Sequence, residues 1–250
     1  MIRLLPSLLF NIVMFGSGAL LSLYGLALAR FAPARLPELP RFWARLTLAA
    51  LRLLCGVRVN VIGQPPSGGG VIIAAQHQSA MDIFVGLALL HRPAFVLKQE
   101  LLRLPLFGGL LEPTGMVAVD RDGGAPALRK MVAACRLRLA EGRPIVIFPE
   151  GTRVAPGASG ALQPGVVALA HALNVPVIPL GTDSGTRWGR KAFWKSPGPV
   201  NVRFFPALPP GLRRDEMLAA LAACFYGAPR QPLRPGSLNG SDLPDTAKVQ

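Results

Sequence analysis

The sequence predicts an α/β fold, a mostly parallel sheet flanked by helices, and three observations carry that prediction. Short β-branched runs alternate with stretches of helical periodicity. Several of those runs end abruptly in polar, titratable residues, as strands do at ligand sites in open α/β sheets. The chain has 250 residues, 51% of them hydrophobic, enough for one good-sized core. Expected strands are 57–62, 71–75, 94–97, 116–119, 145–148, 177–180 and 200–205. Expected helices are 82–90, 125–141, 165–173 and 213–225, with Pro126 fitting a first turn and Gly142 a stop.

The chain opens with 26 uncharged positions, Leu4 to Ala29, between Arg3 and Arg30. Such a stretch is long enough to span a bilayer, although Asn11 and Gly16-Ser17-Gly18 allow it to bend or re-enter. Ala27-Leu28-Ala29 resembles a signal-peptide cleavage site, but the apolar run exceeds the usual h-region, which favours a retained anchor. A proline-rich link, 33–40, leads to a second helix over 41–54. At about 100° per residue Arg41, Arg45 and Arg52 share one face, and Phe42, Trp43, Leu46, Ala50 and Leu53 gather on the other. Beside an anchor, a basic amphipathic helix of this kind is expected to lie in the membrane interface. The resulting division is an anchor and amphipathic helix over 1–55, an α/β domain over 56–226 and a disordered tail over 227–250, rich in Pro, Gly, Ser, Asn and Asp.

Charge and cysteine content narrow the partners. Lys and Arg number 27 against 13 acidic residues, a net charge of +14, and the mean hydropathy is +0.40. A basic, apolar chain fits an anionic membrane surface. It carries no zinc-ligand spacing, aromatic RNA-binding signature or basic helix with dimer heptads, so nucleic acid is not an expected partner. Cys55, Cys135 and Cys224 are odd in number and far apart, with no disulfide framework or metal cluster, which favours a reducing compartment.

The chemistry concentrates where strands end. The run 71–75 delivers His77 and, five residues later, Asp82. On one ideal helix the two would stand ~140° apart. If His77 precedes the helix and Asp82 lies in an early turn, the carboxylate can hold one ring N–H and leave the other nitrogen as a base. The run 145–148 enters Pro149-Glu150-Gly151-Thr152-Arg153, in which glycine admits close backbone approach and arginine offers a fork suited to phosphate. The run 116–119 enters Asp120-Arg121, and 94–97 meets Lys98-Gln99-Glu100. If these ends converge, Lys98, Arg121 and Arg153 form an anion pocket beside His77.

These residues resemble the glycerolipid acyltransferases, most closely the bacterial lysophosphatidic acid acyltransferases. His77 and Asp82 match the first motif, Gly115-Met116-Val117-Ala118-Val119-Asp120-Arg121 the second, Phe148-Pro149-Glu150-Gly151-Thr152-Arg153 the third and Val175-Pro176-Val177-Ile178-Pro179-Leu180 the fourth. Lys98 and Glu100 match a segment often found between the first two. The resemblance covers roughly residues 55 to 210. It implies a glycerophosphate acyltransferase-like α/β fold with an N-terminal two-helix membrane element. It further implies that His77 is the general base and Asp82 its partner. Arg121 and Arg153, with Lys98, would hold the acceptor's phosphate, and Glu150, Gly151 and Thr152 belong to the same substrate site. Met81 stands where many relatives place Trp or Phe, a departure expected to alter acyl-chain packing.

The reaction so implied moves a fatty acyl group from an acyl-CoA or acyl carrier protein thioester to lysophosphatidic acid, with no bound cofactor and no metal. The cysteines lie away from every motif and Ser79 lacks a nucleophile elbow, so no acyl-enzyme is required. The expected location is a membrane, the bacterial inner membrane with the catalytic domain facing the cytoplasm. One alternative keeps the chemistry and changes the acceptor, for example to a lyso-ornithine lipid. Another is a non-catalytic basic membrane-binding protein.

Overall fold

The structure is a computed structural model that describes residues 3–227. The expected tail, 227–250, lies outside the described residues except for Gly227.

Among the described residues seven strands form one sheet: β1 (Val57–Ile62), β2 (Ile72–Ala75), β3 (Ala94–Lys98), β4 (Val117–Val119), β5 (Ile145–Ile147), β6 (Val177–Thr182) and β7 (Gly198–Phe204), in the order β1-β7-β6-β2-β5-β3-β4. Each falls within two residues of its expected bounds. Five of them, β6, β2, β5, β3 and β4, run parallel and bring their carboxyl ends to one edge. β7 pairs antiparallel with β6 and parallel with β1, so those two strands run the opposite way. The central runs of β2 and β5 show no alternation because both faces of the sheet are covered there, whereas β1 and β7 alternate apolar with polar residues. Ile73 and Ala75 pack into one core, and Ile72 and Ala74 into the other.

The first core is roofed by α1 (Leu4–Phe31), α2 (Leu39–Cys55) and α3 (Met81–Leu89). The second is closed by α5 (Gly124–Ala140), α6 (Gly165–Leu173) and α7 (Arg214–Tyr226), while a short α4 (Gly108–Leu111) follows β3. Met81 is fully buried in the first core, where it meets protein rather than lining a cavity.

The N-terminal pair differs from the expected two-helix membrane element. Among the described residues only α1 is long and apolar enough to cross a membrane. It is, however, seated on the protein along its whole length: Ser7, Phe10, Met14, Gly18, Ser22, Gly25 and Leu28 form a buried seam at steps of three and four. Leu5, Ile12, Phe15, Leu20 and Leu23 remain exposed on its outer side. Helix α2 buries the small residues Ala44, Thr47 and Ala50 with Leu51 and Cys55. Its apolar face is divided, for Trp43 packs inward whereas Phe42, Leu46 and Leu53 are exposed. The helix starts and ends within two residues of the expected 41–54.

The amino end of α1 is fastened by Lys195, which is 2% exposed. Its backbone N–H donates to Ser7 Oγ (3.1 Å) and its ammonium to Asn11 Oδ1 (2.7 Å) and the Phe193 carbonyl (2.9 Å). The rings of Phe10 and Trp188 stand within 5.1 and 4.8 Å of that nitrogen. Burial pulls the Lys195 amine down to about 8.

A second buried cation works at the opposite edge of the sheet. Arg143 donates from Nε to the Arg92 carbonyl (2.7 Å) and from one terminal nitrogen to the carbonyls of Thr114 (2.9 Å) and Pro93 (3.3 Å). The accepting carbonyls immediately precede β3 and β4, and Arg143 itself precedes β5. Gly115, at φ +87°, leaves the room required, because a Cβ there would lie 1.7 Å from the guanidinium.

Candidate active site

At the carboxyl edge the chain leaves β2 through Gln76, whose side chain donates to the Phe225 carbonyl and accepts from the Thr182 N–H. The next residues fold into a turn that no helix interrupts before Met81. His77 therefore lies ahead of α3 and Asp82 in its first turn. Their side chains meet at 3.1 Å, His77 Nδ1 to Asp82 Oδ2.

The carboxylate is held from several sides. The same Oδ2 accepts the backbone N–H groups of Gln78 and Ser79, both at 2.8 Å, while Ser184 Oγ donates to Oδ1. With Asp82 as acceptor, Nδ1 carries the imidazole proton and Nε2 keeps its lone pair. The ring stacks on Phe148, centroids 4.1 Å apart. Its backbone is clamped as well: the His77 N–H donates to Glu150 Oε2, and its carbonyl accepts from the Val154 N–H at 2.8 Å.

Glu150 is placed differently from the other strand-end residues of the third motif. Its second oxygen accepts from Tyr226 Oη at 2.6 Å, and its carboxylate does not line the cavity in front of His77. Burial pushes its pKa up, against the opposing pull of the Tyr226 hydroxyl and the His77 N–H. Its observed contacts position the loop of His77.

That cavity encloses about 470 Å³. His77, Lys98, Arg121, Gly151, Thr152 and Arg153 all line it, so the structure brings six of the eight singled-out residues to one space. Asp82 stands behind His77 and Glu150 behind the Pro149-Glu150-Gly151 turn. Arg121 also donates to the Gly151 carbonyl, which joins the loops after β4 and β5. Much of the remaining wall is apolar: Leu39, Trp43, Leu87, Leu110 and Met116, with Leu21 from α1. A basic region beside a titratable nitrogen thus opens into an apolar space that reaches the N-terminal helix. Such a site can bind an anionic headgroup and a hydrocarbon chain together.

The acyltransferase family model matches residues 57–183, just over half of the chain. The chain belongs to the acyltransferase family. It is 32% identical over 167 residues to a 1-acyl-sn-glycerol-3-phosphate acyltransferase of Pseudomonas aeruginosa, a match covering 66% of this chain and 65% of that protein. It is 34% identical over 170 residues to a counterpart from Chlamydomonas reinhardtii, covering 65% of this chain and 50% of that one. This acyltransferase thus aligns with less than two thirds of either relative's length. The crystal structure of the 1-acyl-sn-glycerophosphate acyltransferase of Thermotoga maritima superposes with a TM-score of 0.66 over 90% of this chain and 93% of that one, at 21% identity, and shows the same fold.

Four participants in this acyltransferase's site escape sequence reasoning. Ser184 and Tyr226 act by single hydrogen bonds across 102 and 76 residues, a separation that leaves no local pattern. Arg190 and Lys191, which also line the cavity, belong to a loop outside all four motifs. Their adjacent charges were the available signal.

Proposed function

We propose that the protein transfers a fatty acyl group from a thioester donor, acyl-CoA or acyl carrier protein, to the free hydroxyl of lysophosphatidic acid, forming phosphatidic acid. The single observation that carries this reading is the cavity, in which an Asp-held histidine stands beside Lys98, Arg121 and Arg153 and before apolar walls. The names of the curated relatives support the choice of acceptor.

His77 Nε2 takes the proton of the acceptor hydroxyl as that oxygen bonds to the thioester carbonyl carbon. The C–S bond then breaks, the imidazolium returns the proton to the departing thiolate, and an ester and a free thiol result. Asp82 stabilises the imidazolium between these steps. Lys98, Arg121 and Arg153 hold the acceptor's phosphate through charge-assisted hydrogen bonds, with Gly151 and Thr152 beside them. Glu150 serves by fixing the His77 backbone.

Residues 1–55 face the membrane and 56–226 carry out transfer. Helix α1 lies in one leaflet rather than crossing: its seam from Ser7 to Leu28 is occupied by protein, and its outer side presents leucine, isoleucine and phenylalanine to lipid. α2 contributes Phe42, Leu46 and Leu53 to the same layer. A bacterial inner membrane with the catalytic domain on the cytoplasmic side is the location this reading assigns.

The test supplies labelled acyl-CoA and, separately, labelled acyl carrier protein to membranes containing the protein, with lysophosphatidic acid as acceptor. Label in phosphatidic acid is the expected result. Full activity on a lysolipid without phosphate, and none on lysophosphatidic acid, would replace the acceptor.

A further inference from the structure

The cavity holds more positive charge than its acceptor needs. One phosphomonoester carries about −1.5 to −2, and Lys98, Arg121 and Arg153 already offer three cations. Arg190 and Lys191 line the same cavity, and among the described residues neither makes a hydrogen bond or an ion pair through its side chain.

Topology separates the two groups. Lys98, Arg121 and Arg153 follow β3, β4 and β5, on one side of β2 in the sheet order. Arg190 and Lys191 follow β6, on its other side. In strand order His77, at the end of β2, therefore stands between a group of three cations and a group of two.

The loop bearing the pair is held firmly on both flanks. Ahead of it, Ser184 donates to Asp82, the Gly185 N–H donates to Gln78 Oε1, and Trp188 is buried against Phe10. After it comes the Lys195 anchorage to Ser7 and Asn11. Between these fixed points Lys191 adopts φ +56°, a left-handed backbone that a residue with a Cβ rarely takes. Backbone strain held by rigid neighbours is a feature of ligand sites.

We propose that Arg190 and Lys191 form a second anion site, which binds the phosphate of the donor's phosphopantetheine arm on the side of His77 opposite the acceptor's phosphate. This rests on the acyl-transfer reading above. A thioester carried on such an arm would then approach the Nε2 side from β6 while the acceptor hydroxyl approaches from β5. The two substrates enter with their charged ends apart and their reacting ends together.

Binding without turnover tests the site. The probes are a long-chain alkyl thioether of coenzyme A, which cannot transfer its chain, and a lysophosphatidic acid analogue lacking the accepting hydroxyl. Calorimetry on the full chain in detergent compares wild type with Arg190→Ala/Lys191→Ala. The expected result is on the order of tenfold to hundredfold weaker thioether binding with unchanged acceptor-analogue binding. Arg190→Lys/Lys191→Arg, which keeps the charges, should retain most of the affinity, as a purely structural role would not require. Equal thioether affinity in wild type and the alanine variant overturns the proposal, and so does absence of binding to wild type. Weakened binding of the acceptor analogue alone assigns the pair to the acceptor and overturns it too. A protein that binds the thioether through this pair yet makes no phosphatidic acid breaks the proposed function and leaves the donor site standing.

Discussion

The two edges of the parallel block use the same kind of residue for opposite ends. At the amino edge Arg143, itself just ahead of β5, is 2% exposed and donates to three carbonyls in front of β3 and β4. At the carboxyl edge Lys98, Arg121 and Arg153 follow those same three strands and face a cavity. A guanidinium surrounded by carbonyls cannot take a further ligand, whereas one that faces open space can. The contrast shows that an arginine's role is set by what already satisfies its five donors. Burial moves Arg143 toward a lower pKa, the charges of Arg138 and Arg92 add to that shift, and Glu141 opposes it.

The sharpest way to break this comparison is to remove one cation from each edge. Arg143→Ala leaves three carbonyls without their donor and should destabilise the fold by about 3 kcal/mol, on the order of 10 °C in melting midpoint. Thermal unfolding followed by circular dichroism reads this directly. Arg153→Ala should instead leave the midpoint within about 2 °C and raise the KM for the acceptor roughly tenfold, with the donor KM little changed. Steady-state rates against each substrate in turn separate the two. Equal melting losses in both variants would erase the distinction between the edges.

A smaller effect sharpens it through pH. Lys195 is a buried cation that, like Arg143, is already engaged by protein acceptors, but its amine can release its proton. Its folded pKa, about 8, lies below the ordinary 10.5. Below pH 8 both folded and unfolded chains are protonated there, and the folded one bears the cost of the buried charge. Between about 8 and 10.5 the unfolded chain binds more protons than the folded one, so this group adds stability as pH rises. The difference in melting temperature between wild type and Lys195→Met should therefore shift in favour of wild type from pH 8 to pH 10. Both proteins are compared in a Cys55→Ser background, because burial pushes that thiol up while the Lys195 charge pulls it down. A constant difference across that window would mean the amine stays charged throughout.

Much of this architecture is legible in the sequence, for reasons visible in particular residues. Ile72-Ile73-Ala74-Ala75 reads as a strand because apolar residues must cover both sheet faces, and Gly142, at φ +73°, marks the end of α5. The order of the strands and the reversal of β1 and β7 depend on pairings between distant segments, which no local pattern records. Helix α4 and the 3-10 turn Gln99–Arg103 are too short for a periodicity. In the site, motif spacing found His77, Arg121, Gly151, Thr152 and Arg153, which face the cavity, whereas the cavity-lining Arg190 and Lys191 lie outside every motif and Ser184 and Tyr226 depend on the tertiary fold. The sequence pattern of α2 identified an apolar face but not that Ala44 and Thr47, rather than Phe42 and Leu53, would be buried. Close helix packing favours small residues, and hydropathy does not register size.

The central claim is that His77 at the carboxyl edge acts chemically and is dispensable for the fold. Its most direct test is kcat for acyl transfer to lysophosphatidic acid in wild type and His77→Ala, measured on preparations whose melting midpoints are determined in parallel. A loss of about 10² to 10⁴ in kcat with midpoints within about 2 °C is the predicted result. A variant that keeps most of its turnover, or one that loses activity only because it no longer folds, would contradict the claim.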